Sequence, residues 1–364
     1  VVTGGPAAEL PLRPELRQVV PYGAPQIEVP IRLNTNENPY APSAALAADA
    51  AQAVAKVVGT LNRYPDRDAT GLRAALAGYL TAESGVAFQM ENMWAANGSN
   101  EVMLQLMQAF AGPGRRALTF TPSYSMYPEY ARDTFTEWVE VPRADDFSLT
   151  PDLVATSIDK HRPDVVFLAS PNNPTGTALA LDVVGAAYDA TGGMVVVDEA
   201  YGEFRRPGTR SATEMLAGRP RLVVTRTMSK AFAFAGARLG YLAADPGVVD
   251  AVLRVRLPYH LSAVTQAVAR VALDHAPELQ RHVQTLREER DRTVAWLRGR
   301  GLQVPDSDAN FVMVGVFEDR HAAWQSLLEH GILVREVGPP GWLRVSIGTT
   351  EEMAGFRDAM DDLL

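Results

Sequence analysis

The chain has 364 residues, 47% of them hydrophobic and 21% charged, a globular composition too long for one compact core, so two lobes are expected. A formal net charge of -9 argues against a nucleic-acid partner, whose phosphates demand a basic face, but leaves room for a small anion held by a few local arginines. With no cysteine, disulfides, thiolate nucleophiles and cysteine-based metal sites are excluded. The six histidines are scattered without metal-ligand spacing, and no metal is expected. No apolar run approaches a membrane span, and the start, Val1-Val2-Thr3-Gly4-Gly5-Pro6, lacks a signal-peptide pattern; a cytoplasmic protein with no membrane partner is the expectation.

In chain order, residues 1–42 form a proline-rich segment with no helical period, expected as an extended arm. Tyr22, Ile27, Val29, Ile31 and Leu33 give it apolar residues with which to dock on a small domain or a partner subunit. Residues 43–245 alternate between helical and strand patterns. Helices are expected at 43–58, 70–82, 100–111, 151–160 and 181–190, and strands at 93–97, 117–120, 138–141, 165–170, 194–198 and 222–226. The runs Val165-Val166-Phe167-Leu168-Ala169 and Met194-Val195-Val196-Val197 read as strands buried on both faces, which implies an α/β fold with a mainly parallel sheet flanked by helices. Thr150-Pro151 marks a helix start. After Asp245-Pro246 the pattern becomes helix-rich, with a long charged helix near 277–298. Strand 311–316, helix 320–330, strands 332–335 and 343–347 and a final helix from Thr350 follow, so residues 246–364 are expected to form a smaller α+β domain.

In open α/β sheets ligands bind beyond the carboxyl ends of the strands. Four expected strands deliver polar residues there: Gly98-Ser99-Asn100-Glu101, Pro171-Asn172-Asn173-Pro174, Asp198-Glu199-Ala200-Tyr201 and Thr227-Met228-Ser229-Lys230. Alone, Asp198 reads equally as a helix-capping carboxylate and Lys230 as a salt-bridge partner. A desolvated lysine is also an amine nucleophile, and a glycine turn into a helix offers N–H groups and a positive dipole end to a phosphate. A phosphate cup, an amine, a carboxylate and an Asn–Tyr donor pair together describe one cofactor.

These residues resemble the fold-type-I pyridoxal-phosphate aminotransferases, and within them the histidinol-phosphate aminotransferase family. The resemblance is carried by Leu33-Asn34-Thr35-Asn36-Glu37-Asn38-Pro39, Arg63-Tyr64-Pro65-Asp66, Ala96-Asn97-Gly98-Ser99-Asn100-Glu101 and Ser170-Pro171-Asn172-Asn173-Pro174-Thr175-Gly176. It continues in Val197-Asp198-Glu199-Ala200-Tyr201, Arg226-Thr227-Met228-Ser229-Lys230-Ala231-Phe232, Ala235-Gly236-Ala237-Arg238-Leu239-Gly240 and Leu343-Arg344-Val345-Ser346-Ile347-Gly348. It spans about residues 10–364. Two positions depart from the family pattern: Asn100 stands where an aspartate is more usual, and the last helix begins Thr349-Thr350-Glu351-Glu352-Met353, where Thr349 and Glu352 still suit a capping box.

The resemblance implies a role for each position. Lys230 holds pyridoxal 5′-phosphate as a Schiff base and moves the proton; Asp198 keeps the pyridine nitrogen protonated, making the ring an electron sink. Asn173 and Tyr201 donate to the ring oxygen. Tyr124 stacks on the ring, its other reading being core packing. Ser99, Asn100, Ser229 and Arg238, with Thr227 as a further candidate, bind the phosphate, and Tyr64 reaches the cofactor phosphate of the other subunit in a homodimer with a shared active site. Arg344 and Arg335 grip the substrate anion, and Tyr22, Asn36 and Glu37 act as lid residues. The implied reaction is ping-pong transamination, via pyridoxamine phosphate, between an anionic amino donor, histidinol phosphate, and a 2-oxo acid acceptor, 2-oxoglutarate, in histidine biosynthesis. An aromatic amino-acid aminotransferase, a phosphothreonine-type decarboxylase and a cofactor-sensing regulator remain alternatives; the last is disfavoured by the acidic charge and by the short arm ahead of the first helix.

Overall fold

The computed structural model describes residues 10–364; the first nine residues of the expected arm, including the amino-terminal stretch read for a signal peptide, lie outside the described residues. Among these, the first part of the chain carries β1 (Ile31–Arg32), α1 (Ala44–Val58), α2 (Thr70–Ser84), β2 (Met93–Ala96), α3 (Ser99–Phe110), β3 (Arg116–Thr121), α4 (Tyr127–Asp133) and β4 (Glu137–Pro142). Next come α5 (Pro151–His161), β5 (Val165–Ala169), α6 (Leu181–Ala190), β6 (Met194–Asp198), β7 (Leu222–Thr227) and β8 (Gly240–Ala244). The remainder is α7 (Pro246–Val255), α8 (Ala263–Asp274), α9 (Ala276–Gly299), β9 (Phe311–Val314), α10 (Arg320–Glu329), β10 (Ile332–Leu333), β11 (Leu343–Ser346) and α11 (Thr350–Leu363).

Seven strands form one sheet in the order β2-β8-β7-β6-β5-β3-β4. Its pairs are parallel except for those made by β8, which runs against both β2 and β7. The α/β class is therefore as expected. The apolar runs are two-faced, as the pleat requires: Val195 and Val197 join one core cluster, Met194 and Val196 the other. Helix starts follow local chemistry. Thr150 caps α5 through Leu153 N, and Thr349 and Glu352 form the capping box of α11.

Three features differ from the sequence expectation. The arm is not wholly irregular: Pro14–Leu16 make a turn of 3-10 helix, and β1 pairs in parallel with β10. Helix α4 and strand β8 were not foreseen. And the packing does not change at residue 246, because α7 packs against α3 and β2, and α8 against α1 and α2; the α+β company of β9, α10 and α11 begins with α9. No helix among the described residues is long and apolar enough to cross a membrane.

Candidate functional site

Strand register aligns the polar ends. Asp198 sits opposite Ala169 on β5 and Thr225 on β7, and Gly240 sits opposite both Ala96 and Thr227. The pocket at this rim is lined by Tyr22, Asn36, Glu37, Ser99, Asn100, Tyr124, Asn173, Asp198, Tyr201, Thr227, Ser229, Lys230, Arg238, Arg335 and Arg344. Every residue expected at the site is thus gathered there except Tyr64. That side chain is 78% exposed and stacks on Tyr259 with ring centroids 4.3 Å apart.

Lys230 lies partly buried, its Nζ donating to the Thr35 carbonyl at 3.0 Å. Burial and then the Arg344 charge bring its pKa down to about 8, so a usable fraction is free amine near neutrality. The chain contains three lysines, and the other two, Lys56 and Lys160, are exposed. That scarcity is a signal the motif reading passed over.

Asp198 is buried, and burial raises its pKa against the pull of three donors. Tyr127 Oη donates to Oδ2 at 2.8 Å; Ala200 N and Thr225 Oγ1 donate to Oδ1 at 3.2 and 3.3 Å. No cation of the described chain pairs with it, and a buried carboxylate without one is costly. A protonated ring nitrogen would fit such a group.

The opposite end of the pocket is lined by Ser99, Asn100, Thr227, Ser229 and Arg238. Gly98 precedes α3 with φ +83°, and no side chain caps the helix, so its first N–H groups, on residues that line the pocket, are left unspent. A Cβ on Gly98 would lie 2.6 Å from Arg238 Nη2, and one on Gly240 would collide with the Ser99 backbone nitrogen. Both glycines let the cup close around Arg238. Arg238 Nη1 donates to Ala235 O at 3.0 Å and to Ser229 Oγ at 3.4 Å. Thr227 braces the cup by donating to Ser229 Oγ at 3.0 Å. The Asn100 departure is accommodated: its Oδ1 accepts from Tyr124 Oη at 3.2 Å, which a carboxylate there would do equally well.

Between the two ends, Tyr201 Oη accepts from Asn36 Nδ2 at 3.0 Å, which leaves its own proton free to donate. Asn36 is held in turn by Ser346 and Asn310 and is only 1% exposed. It differs from the expected lid residue in being a fixed brace for Tyr201. Asn173 Oδ1 accepts from Arg344 Nη1 at 2.7 Å, so the polar group it has left is a donor. Arg344 also donates to Asn34 O at 2.7 Å, and its buried Nε has no partner. Arg335, bridged in register to Arg344 by backbone bonds, donates to Gly23 O at 3.1 Å. Among the described residues none of Arg238, Arg335 and Arg344 makes an ion pair. In a chain of net charge -9, this is a pocket built for anions. Pyridoxal phosphate fits the donor set: a cation-seeking carboxylate, a low-pKa amine, two ring-oxygen donors and a phosphate cup.

The sequence reading missed Tyr127, and also the buried network behind the site. There Arg226 pairs with Glu199 at 2.7 Å, Glu203 at 3.1 Å and Glu83 at 3.4 Å. Among the described residues no group of three or more histidines and carboxylates is arranged to hold a metal ion.

The aminotransferase class I and II family matches residues 28–360. A histidinol-phosphate aminotransferase of Thermobifida fusca is 59% identical over 358 residues, 98% of this chain and 96% of that protein. Histidinol-phosphate aminotransferase 3 of Burkholderia lata is 57% identical over 357 residues, 98% and 96% of the two chains. The solved histidinol-phosphate aminotransferase of Sinorhizobium meliloti, in complex with pyridoxal-5′-phosphate, matches with a TM-score of 0.81 at 25% identity, covering 93% of this chain and 92% of the other.

Proposed function

Because the chain belongs to the class I and II aminotransferases, we propose that it transfers an amino group between histidinol phosphate and 2-oxoglutarate with pyridoxal 5′-phosphate as cofactor. The observation that carries the substrate is the pair of rim arginines, Arg335 and Arg344, without a protein anion against them, in a chain 59% identical to a relative of that name. When bound, the cofactor would supply an aldehyde to carry the amino group between the half-reactions and an electron-withdrawing ring to take up the electron pair left at the substrate Cα.

The chain's own residues do the rest. Lys230 supplies the amine that holds the cofactor and, once displaced by substrate, the base that carries the proton at the substrate Cα. Asp198 holds the proton on the ring nitrogen. Asn173 and Tyr201 donate to the ring oxygen, Tyr124 covers the ring, and the α3 terminus with Ser99, Asn100, Ser229 and Arg238 holds the phosphate. Arg344 and Arg335 orient the substrate phosphate or the acceptor carboxylate bidentately. Tyr22 and Glu37, both exposed at the pocket mouth, close over it.

We further propose a cytoplasmic homodimer. Tyr64 and Tyr259, stacked with ring centroids 4.3 Å apart, are both exposed, an apolar surface suited to a second copy. From it Tyr64 would reach the other subunit's cofactor phosphate. In this reading the chain divides into the arm, a cofactor lobe and a smaller C-terminal lobe whose seam lies at the start of α9. The deciding experiment compares kcat/KM for histidinol phosphate and phenylalanine with 2-oxoglutarate as acceptor. Histidinol phosphate is expected to lead; equal or better turnover of phenylalanine would transfer the assignment to the aromatic aminotransferases, and release of CO₂ without an acceptor to the decarboxylases.

A further inference from the structure

Tyr127 opens α4 and is fully buried. Its ring stacks on Phe167 of β5 with centroids 4.7 Å apart and planes 10° from parallel, and meets the Tyr124 ring edge-on at 5.5 Å. Phenylalanine would fill that slot and keep both contacts. The hydroxyl needs its own reason, because a buried O–H without a partner is unfavourable. Its partner is Asp198 Oδ2, and among the described residues that oxygen has no other donor. Oδ1 is held by Ala200 and Thr225, so Tyr127 supplies the contact that stops the carboxylate from turning about its last bond.

We propose that Tyr127 is a positioning residue for the ring-nitrogen end of the site: its O–H, carried on a rigid aromatic stack, aims the Asp198 carboxylate into the pocket and maintains it as the anion that holds the ring proton. The inference rests on the reading that Asp198 faces the ring nitrogen of pyridoxal phosphate. Burial and the adjacent carboxylate keep the phenol itself protonated, so it stays a donor throughout the working pH range. Other titratable groups surround the pair. Tyr124 and Tyr130 stand on the α4 side, Tyr201 and Glu199 follow Asp198 in the chain, and Arg143 at the end of β4 interacts with Tyr127. Tyr127 is the one that touches Oδ2.

The test uses the full-length protein with and without pyridoxal phosphate. Three quantities are read: cofactor affinity by absorbance titration, the pH dependence of one half-reaction with glutamate in single turnover, and melting of the cofactor-free protein. Tyr127→Phe is expected to hold the cofactor about tenfold more weakly, as suits loss of a hydrogen bond to a charged group. The acid limb should rise by about one pH unit, because Asp198 without its donor takes up a proton sooner. Asp198→Asn should erase both effects when the two changes are combined. Incorporating 3-fluorotyrosine at 127, a stronger donor of nearly the same size, should move the limb the other way, and keeps the test open should Tyr127→Phe fold poorly. An unchanged limb and affinity, or equal effects of Tyr127→Phe in the Asp198→Asn background, would overturn the proposal. A wild-type protein that takes up no pyridoxal phosphate would instead remove the reading beneath it.

Discussion

Arg344 donates a 2.7 Å hydrogen bond to the side-chain oxygen of Asn173, joining the anion-binding end of the pocket to a donor assigned to the cofactor ring oxygen. Under the proposed assignment the guanidinium would act twice, on the substrate through its charge and on the cofactor through Asn173. Replacing Arg344 by glutamine is expected to raise KM for anionic substrates about 10- to 100-fold, as for loss of a charge-assisted bidentate contact. It should also shift the pH titration of the bound-cofactor absorbance with no substrate present. A change in KM with an unmoved titration would confine Arg344 to the substrate.

The second prediction concerns pH. Lys230 is lowered to about 8, first by burial and next by Arg344. Below that pH the amine is protonated and cannot add to an aldehyde; above it the amine is free. Uptake of pyridoxal phosphate by the cofactor-free protein should therefore accelerate with pH about a midpoint near 8. In Arg344→Gln, relieved of the nearby positive charge, the midpoint should move upward. Lys230→Ala should lose the bound-cofactor absorbance and turnover. Because Lys56 and Lys160 are the only other lysines, borohydride reduction followed by peptide mapping should label one peptide; label on either of the others would refute the assignment.

Asp198 should trade stability for function. In the cofactor-free fold its carboxyl pKa is raised by burial, so its charge opposes folding increasingly as pH climbs from the unfolded value through the folded one. At pH 7 Asp198→Asn should leave the cofactor-free protein as stable or slightly more stable, by about 1 kcal/mol. Wild type should gain more from added cofactor, and the substitution should cut kcat by about a hundredfold or more. Melting with and without pyridoxal phosphate checks the first part, and steady-state rates the second.

If Tyr64 serves the neighbouring subunit, Tyr64→Phe should loosen cofactor retention without disturbing the fold of its own chain, since its side chain is 78% exposed. Mixing a Tyr64→Ala protein with a Lys230→Ala protein tests the sharing. A heterodimer carries one site with both defects and one with neither, so each heterodimer should regain about half the activity of a wild-type dimer. No recovery, in dimers shown to exchange subunits, would place Tyr64 outside the shared site.

Behind the pocket, Arg226 bonds Glu199, Glu203 and Glu83 while essentially unexposed. Arg226→Met would leave buried Glu203 without a cation and Glu199 with Arg205 alone, and a loss of about 3–5 kcal/mol is expected, measured by urea denaturation. Gly202→Ala should act in the same direction, because a Cβ there would lie 2.7 Å from the Arg226 guanidinium carbon.

Much of this site was legible because it is written in short motifs at strand ends, and the apolar runs of β5 and β6 locate those ends within a residue. What escaped was set by tertiary context. Helix α4 is seven residues long and begins with Tyr127-Pro128 after a turn, too short for a helical period. Tyr127 was lost with it. Strand β1 is two residues in a proline-rich arm, and only its pairing with β10 makes it a strand. Arg226 stands in a strand buried on both faces, where alternation cannot reveal that its partners arrive from Glu83, Glu199 and Glu203.

Strand β8 reverses direction after β7 and brings Gly240 beside Ala96 and Thr227. The connection between Thr227 and Gly240 thereby carries both the amine of Lys230 and the guanidinium of Arg238. With the cofactor held as proposed, this loop would work as a caliper, its two jaws closing on the aldehyde and the phosphate of a single small molecule. Loop length between residues 230 and 238 then becomes a measurement of the cofactor. An inserted glycine there should leave the sheet paired and the amine reactive, yet make the protein indifferent to whether the aldehyde it captures bears a phosphate.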